Sequence, residues 1–342
     1  MFPHRIHAPT REDLTLKVQA HLEADPQARV IVQFERGAQY DAQLLNSLDS
    51  LCAHYGERLN VRFYSHYPGS AFDARVLLAL PHVQSLSLDC LDSLEHYEAI
   101  GSLRKLKDFA LQVISADLPG LLALPNLRGL RTLRLSLDKG PAIDLAPLAA
   151  MPELHTLSLS VQSHHLDVLS QCPSINHLDL HRMPAKTPLG MVASMTGLRS
   201  LSVTFGSREQ MPELRNPQVK ELEIMRVRGL NRLDLDGFPQ LEALKIEDQA
   251  QLSQLDLGGA PQLRKLSLIN LKNLGAINHL HTSTITDLRL IKTPQVDLLA
   301  LIEQQLPPSV QHLKLRSGKR AVDKQIEARQ QQLGIPEPRG TY

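Results

Sequence analysis

Three residues within one short stretch are of types that chemistry uses. His177, Asp179 and His181 alternate in the run HLDLH. On a strand, alternation turns all three to the same face. An imidazole–carboxylate–imidazole row could hold a metal or carry protons. Strand geometry argues against that use. Residues two apart lie about 6.6 Å apart, so the two histidines stand about 13 Å from each other. A tetrahedral zinc draws its donors to about 2 Å. The row suits contact with a partner better, and a hydrolase or metal site here is the weaker alternative. The pair His164 and His165 falls in a return loop and reads as surface. Cys52, Cys90 and Cys172 are too few and too scattered for a disulfide framework or a zinc site. A cysteine nucleophile needs a base and an oxyanion site beside it. Cys90 and Cys172 read instead as small residues in turns. The run SGKR at 317–320 lacks the upstream glycine of a phosphate loop. No H-E-x-x-H, G-x-S-x-G or dinucleotide fingerprint occurs. The expectation is a chain with no catalytic residue, no cofactor and no metal.

The elements that must position such residues follow from a repeat. Leucine supplies 64 of 342 residues, tryptophan none, and aromatic residues 4%. A core so dependent on one side chain implies one mould used many times. Anchors stand at Leu86, Phe109, Leu133, Leu157, Leu178, Leu201, Leu222, Leu244, Leu266, Leu288 and Leu313, spaced by 21 to 25 residues. The residue three before each anchor and the residue two after it are apolar in every case. Proline stands five before the anchor in seven of the eleven units, for example Pro152, Pro217 and Pro261. It stops the preceding element and presets the turn into a strand. The unit reads P-x-L-x-x-L-x-L, as in PELHTLSL and PQLRKLSL.

This pattern resembles the leucine-rich repeat family, over residues 78–318 and about eleven repeats of 21–25 residues. The resemblance implies an α/β fold, a curved leucine-rich repeat solenoid. Its parallel sheet would lie on the concave face, with helix, 3₁₀ turns and short strands on the convex face. One feature departs from the family. The position three after the third leucine is usually asparagine; here it holds Leu91, Met183, Val227, Gln249, Leu271 and Thr293 among others. Hydrogen bonding between coils must then come from the backbone or from other side chains. The half-period pattern at Leu230–Leu233–Leu235 and Leu252–Leu255–Leu257 predicts short convex strands. Residues 1–77 read as an N-terminal α/β cap that continues the sheet, with one or two degenerate repeats in it as an alternative. It has strands at Val30–Phe34 and Val61–Phe63 around a helix at Ala42–His54. Residues 319–342 read as a C-terminal helical cap over Ala321–Leu333, with GIPEPRGTY a frayed tail.

In each unit the leucines face the core, and the residues at −1, +1 and +3 from the anchor face outward. Eleven strands would make a surface about 50 Å long. In its first six repeats serine and threonine dominate the outward positions. In the last five, nine of fifteen are charged: Glu221, Glu223, Lys245, Glu247, Lys265, Asp287, Arg289, Lys314 and Arg316. Their sign drifts from acidic to basic. The candidate partner-binding residues are these, except Asp287, together with His177, Asp179 and His181. A second candidate anchor is the segment YSHYPGS, through Tyr64 and Tyr67. Phe34 and Phe63 read as core.

The balance of 37 basic against 36 acidic residues gives a net charge of +1 and argues against nucleic acid or anionic lipid as partner. No run of 18 apolar residues occurs, and charged residues interrupt the N-terminus where a signal peptide needs an apolar core. The expectation is a cytoplasmic protein, with signal-independent secretion open. What the family resemblance implies is binding; the expectation is non-enzymatic recognition of another protein through the concave face, helped by the N-terminal loop, with a monomer favoured. An immunity or inhibitor protein that masks a toxin, a host-directed effector and an adaptor are the roles considered.

Overall fold

The computed structural model describes residues 4–35, 37, 38, 40–65, 69, 71–338 and 340. The chain divides into two compact units, Met1–Ser174 and Ile175–Tyr342. Among the described residues, the main sheet of the first has seven parallel strands paired in chain order. These are β1 (His4–His7), β2 (Val30–Glu35), β3 (Leu59–Tyr64), β4 (Ser85–Leu91), β5 (Asp108–Ser115), β6 (Thr132–Lys139) and β7 (Thr156–Ser160). The second holds seven more: β8 (His177–His181), β9 (Ser200–Thr204), β10 (Glu221–Met225), β11 (Ala243–Glu247), β12 (Lys265–Ile269), β13 (Asp287–Ile291) and β14 (His312–Arg316).

Register aligns the anchors. Leu86, Phe109, Leu133 and Leu157 stand opposite one another, and Val61, Val32 and Ile6 continue the row. In the second unit the row is Leu178, Leu201, Leu222, Leu244, Leu266, Leu288 and Leu313. Every one of these side chains is buried. The N-terminal segment therefore carries the same mould with valine and isoleucine in place of leucine. Helix α1 (Ala42–Tyr55) buries Leu44, Leu45, Leu48 and Cys52, and Asp41 caps it by accepting from the Leu44 N–H at 2.7 Å. Phe34 and Phe63 are core, stacked at 5.3 Å between ring centres.

The missing asparagine ladder has a backbone replacement. In six successive coils of the second unit, the residue after the strand adopts a left-handed conformation without being glycine: Arg182, Phe205, Arg226, Asp248, Asn270 and Lys292, with φ between 52° and 59°. That conformation costs an ordinary residue about 1–2 kcal/mol. Each one donates its N–H to a carbonyl of the next strand, as in Arg182 to Thr204 at 2.8 Å and Lys292 to Arg316 at 2.7 Å. The kink turns the following residue inward, and Met183, Val227, Gln249, Leu271 and Thr293 are buried there. An apolar residue at the asparagine position packs the core because the backbone already joins the coils.

A second set of links sits before the strands. Asn216 Nδ2 donates to the carbonyls of Val192 and Met195 at 2.7 and 2.9 Å. Asn126 does the same to Ile100 and Leu103, and Ser309 Oγ to Ser283 and Ile285. Each side chain adds a donor to carbonyls of the preceding coil; those reached by Asn216 and Asn126 also accept a backbone N–H, as in Leu198 to Met195 and Leu106 to Leu103.

The return segments are mostly 3₁₀ turns, including Ala146–Ala150 and Leu166–Gln171. A short convex strand forms at Gln254–Asp256, paired with Ala276–Asn278. The expected strand at Leu230–Leu235 does not form, although Leu230, Leu233 and Leu235 are buried. A strand needs a partner with regular donors. The return before it carries Pro212, level with Asp234 by the repeat interval, and proline has no N–H. At the C-terminus, α2 (Arg320–Leu333) buries Ile326 and Gln330 and ends at Gly334 with φ 67°. The tail beyond it is not frayed over its described residues. The Pro336 carbonyl accepts the Leu313 N–H at 2.9 Å, and Gln330 Nε2 bridges the carbonyls of Leu313 and Ile335.

On the convex side three histidines, His96, His165 and His279, share one arrangement. Each is left-handed and pairs with an aspartate 21 to 23 residues earlier: Asp73 at 3.2 Å, Asp144 at 2.8 Å and Asp256 at 2.7 Å. The hydrogen bond that the His165 ring donates to Asp144 raises its pKa above the ordinary 6.5. The Ala146 N–H and His165 together hold Asp144 below 3.8. A raised histidine stabilises fully below pH 6.5, and the contribution is lost as pH climbs through its folded value. A lowered aspartate stabilises fully above pH 3.8, and the contribution is lost as pH falls through its folded value. The clasp therefore acts between those limits. Proton NMR should find His165 titrating above 6.5, and Asp144→Asn should bring its midpoint down toward that value. A His165 midpoint that Asp144→Asn leaves unchanged would remove the clasp.

Candidate functional site

The outward side chains of the second unit stand in three registered rows. The middle row runs Asp179, Ser202, Glu223, Lys245, Ser267, Arg289 and Lys314. One flanking row carries His177, Ser200, Glu221, Ala243, Lys265, Asp287 and His312. The other carries His181, Thr204, Met225, Glu247, Ile269, Ile291 and Arg316. Seven strands at about 4.8 Å spacing make this face about 29 Å long.

Charge on it is arranged. Lys245 Nζ lies 2.9 Å from Glu223 and 3.2 Å from Glu247, so one ammonium joins two carboxylates across the β10–β11 pair. Partial burial works against the Lys245 charge, but hydrogen bonds to Glu223 and then Glu247 carry its pKa above the ordinary lysine value. Beside this group the face dips. Ser200, Ser202 and Ala243 are small, and they floor a depression of about 230 Å³ between Asp179, Glu221, Glu223, Lys245 and Lys265. Glu221 is exposed on its rim.

The histidine row is placed as predicted along one strand. His177 is exposed and bonds through Nδ1 to Asn176. His181 is half-buried, 2.8 Å from Thr204 Oγ1, with its ring 4.7 Å from that of Phe205. Among the described residues no three histidine, cysteine, aspartate or glutamate side chains converge as metal ligands would. Cys52 and Cys172 are buried, and all three cysteines are free thiols. Burial pushes each thiol's pKa up, away from the reactive thiolate.

At the basic end the chain covers its own residues. Glu337 spans Lys314 Nζ at 3.0 Å and the Arg316 guanidinium at 2.5 Å. Those two contacts hold the Glu337 carboxyl below its ordinary range, the Lys314 hydrogen bond being the larger cause. Arg289 is only 7% exposed and donates to the carbonyls of Gly340 at 2.5 Å and Pro338 at 3.5 Å. So the sequence brings Arg289, Lys314 and Arg316 together on one patch, but the tail lies over it.

In the first unit, Tyr64 is not an exposed loop anchor. It ends β3 with a buried side chain, because the strand runs one residue further than the Val61–Phe63 pattern implies. The Arg62 guanidinium lies 4.4 Å from its ring centre. Tyr67 lies outside the described residues. Sequence reasoning missed the polar chain next to Tyr64. Arg62 Nε donates to Asp89 at 2.8 Å, Arg62 Nη1 to Gln33 at 2.8 Å, and Gln33 Nε2 sits 2.8 Å from His7 Nδ1. The alternation Val30–Val32–Phe34 held the signal, since it places Gln33 outward.

Rows of buried leucines behind registered outward residues, coil after coil, decide the architecture. The fold is a leucine-rich repeat array. No protein-family model matches the sequence, and no curated protein does. Solved structures are similar. An internalin from Listeria monocytogenes is 17% identical, with 84% of this chain and 80% of that chain covered and a TM-score of 0.46. A leucine-rich repeat protein from Leptospira interrogans is 16% identical, with 88% of each chain covered and a TM-score of 0.49. Drosophila Toll, in its complex with Spätzle, is 15% identical, with 91% of this chain and 54% of that chain covered and a TM-score of 0.43. Among the described residues of this leucine-rich repeat array, no helix is long and apolar enough to cross a membrane.

Proposed function

We propose that this leucine-rich repeat array is a non-enzymatic recognition protein that binds another protein through the outward face of its parallel sheet. The observation that carries the reading is the depression floored by Ser200, Ser202 and Ala243 within the charged rows. Small-molecule sites are commonly 300–1,000 Å³ and mostly apolar. This one is about 230 Å³ with a charged rim, the size and polarity of a seat for one partner side chain. The ion-paired Glu223, Lys245 and Glu247 form a rigid wall beside it, and exposed Glu221 favours a basic group. His177, Asp179 and Lys265 complete the contact surface. The buried free thiols Cys52 and Cys172 suit a reducing, cytoplasmic setting.

Affinity capture from the native cell tests this. Wild type is compared with the double variant Ser202→Arg/Glu221→Lys, which fills the depression and reverses its rim. Arg232→Glu, on an exposed return segment, is the control. Surface substitutions shift stability by about 0.5 kcal/mol or less, so melting should not change. The expected result is a partner retained by wild type and by the control, and lost at least tenfold by the double variant. Retention by the double variant with loss in the control would move the site off the sheet face. Reversing Glu223 or Glu247 is a poorer test, because it would leave Lys245 among like charges.

A further inference from the structure

We propose that Arg289, Lys314 and Arg316 form a docking site for an acidic, extended segment of a partner protein, which the chain's own tail occupies in cis until that segment displaces it. The proposal rests on reading the outward face as a recognition surface.

The tail displays the chemistry of the guest. One carboxylate, Glu337, bridges the cations of Lys314 and Arg316. Main-chain carbonyls of Pro338 and Gly340 take the Arg289 guanidinium, and that of Pro336 takes the edge N–H of Leu313. A guest therefore needs an extended backbone and a side-chain carboxylate. Pro336 and Pro338 flank Glu337 and stiffen the segment, which lowers the entropy lost on docking.

Arg289 sits in an outward row, yet is 7% exposed. A cation on a solvated sheet face is that dry where something lies on it, and here tail carbonyls do. Arg289 and Lys314 are opposite in register, and Arg316 is the next outward residue of β14. The nearest outward carboxylate, Asp287, faces His312 at 3.2 Å, and Glu327 from α2 reaches Arg316 at 3.4 Å. With the tail lifted, three cations face Glu327 and Asp323 of α2, which both act on Arg316, and the patch keeps a net positive charge.

The cover is built to be replaced. Half-exposed ion pairs are weak. Three residues separate the helix end from Glu337, and a short tether holds its end at an effective concentration of about millimolar. A competing segment must exceed that local concentration, so the tail sets a threshold and screens out weak acidic peptides.

The test uses the full chain and a fluorescein-labelled peptide of residues 334–342, read by anisotropy. Wild type should bind it weakly, because the site is filled. Glu337→Lys repels the tail from Lys314 and Arg316, and should raise affinity for the probe at least tenfold. Glu337→Gln, the gentler change, should give a smaller gain and reads the same contact if the first variant folds poorly. Adding Lys314→Glu to either should abolish the gain, and higher salt should reduce it. A folded Glu337→Lys variant that binds the probe no better than wild type overturns the proposal. So does a single-stranded oligonucleotide that binds the freed patch better than the peptide. The Ser202→Arg/Glu221→Lys variant should leave probe binding unchanged. Failure of the depression and failure of the basic end are thus read separately.

Discussion

Leu266→Asp is expected to unfold the C-terminal unit. Leu266 is fully buried, with Leu244 and Leu288 opposite it on the two neighbouring strands. No cation or donor lies in that row. The substitution removes a packed leucine, a loss of about 2–5 kcal/mol by truncation alone, and adds an unpaired carboxylate or a protonated one without a partner. The combined cost of about 5 kcal/mol or more compares with a whole-domain stability of about 5–15 kcal/mol. Repeat coils contact mainly their neighbours, so damage should start there. Hydrogen exchange should show protection lost first in β11, β12 and β13. Leu266→Met, which conserves volume, should cost less than about 1.5 kcal/mol. An Asp variant that melts with the wild type would contradict this register.

Asn216→Ala is expected to cost about 3 kcal/mol, although no partner touches the residue. Asn216 is 1% exposed, donates twice to carbonyls of the preceding coil, and accepts the Gln218 N–H at 2.8 Å. The Val192 and Met195 carbonyls keep their backbone donors, so the loss is that of three hydrogen bonds, each contributing about 0.5–1.5 kcal/mol. Asn216→Asp sharpens the test. A carboxylate would face two carbonyl acceptors, so folding would raise its pKa. Stability should then be greatest at acid pH and fall as pH rises past the ordinary carboxylate range. Chemical denaturation from pH 4 to 8 reads the slope. A variant as stable as wild type at pH 8 would show that the two donated bonds contribute nothing.

The two sites differ in how far they could be read in advance. Leu266 was legible because its unit repeats P-x-L-x-x-L-x-L at a near-constant interval, and periodicity is a property of the sequence. Asn216 was not. Its spacing to the next anchor is six residues, that of Asn126 is seven and that of Ser309 four, so no fixed period marks the ladder they form. The absent asparagine at the family's usual position was visible, and so was the need for a substitute. That the substitute is a left-handed backbone at Arg182 through Lys292 was not, because ordinary residues rarely adopt that conformation and nothing in their types announces it.

The sequence by itself determined the leucine mould, which residues face inward, and the outward rows from His177 to Arg316. All of these depend on alternation along a strand, which is local. The tertiary structure alone decided which outward residues act together. Lys245 joins Glu223 and Glu247, small side chains from neighbouring strands open a depression beside them, and the tail returns over Arg289, Lys314 and Arg316. It also decided that Tyr64 is buried. These outcomes depend on how the chain ends, how far a strand runs, and which residues 20 or more apart come into register. Charge and burial are set by those neighbours in space, and spacing along the chain does not encode them.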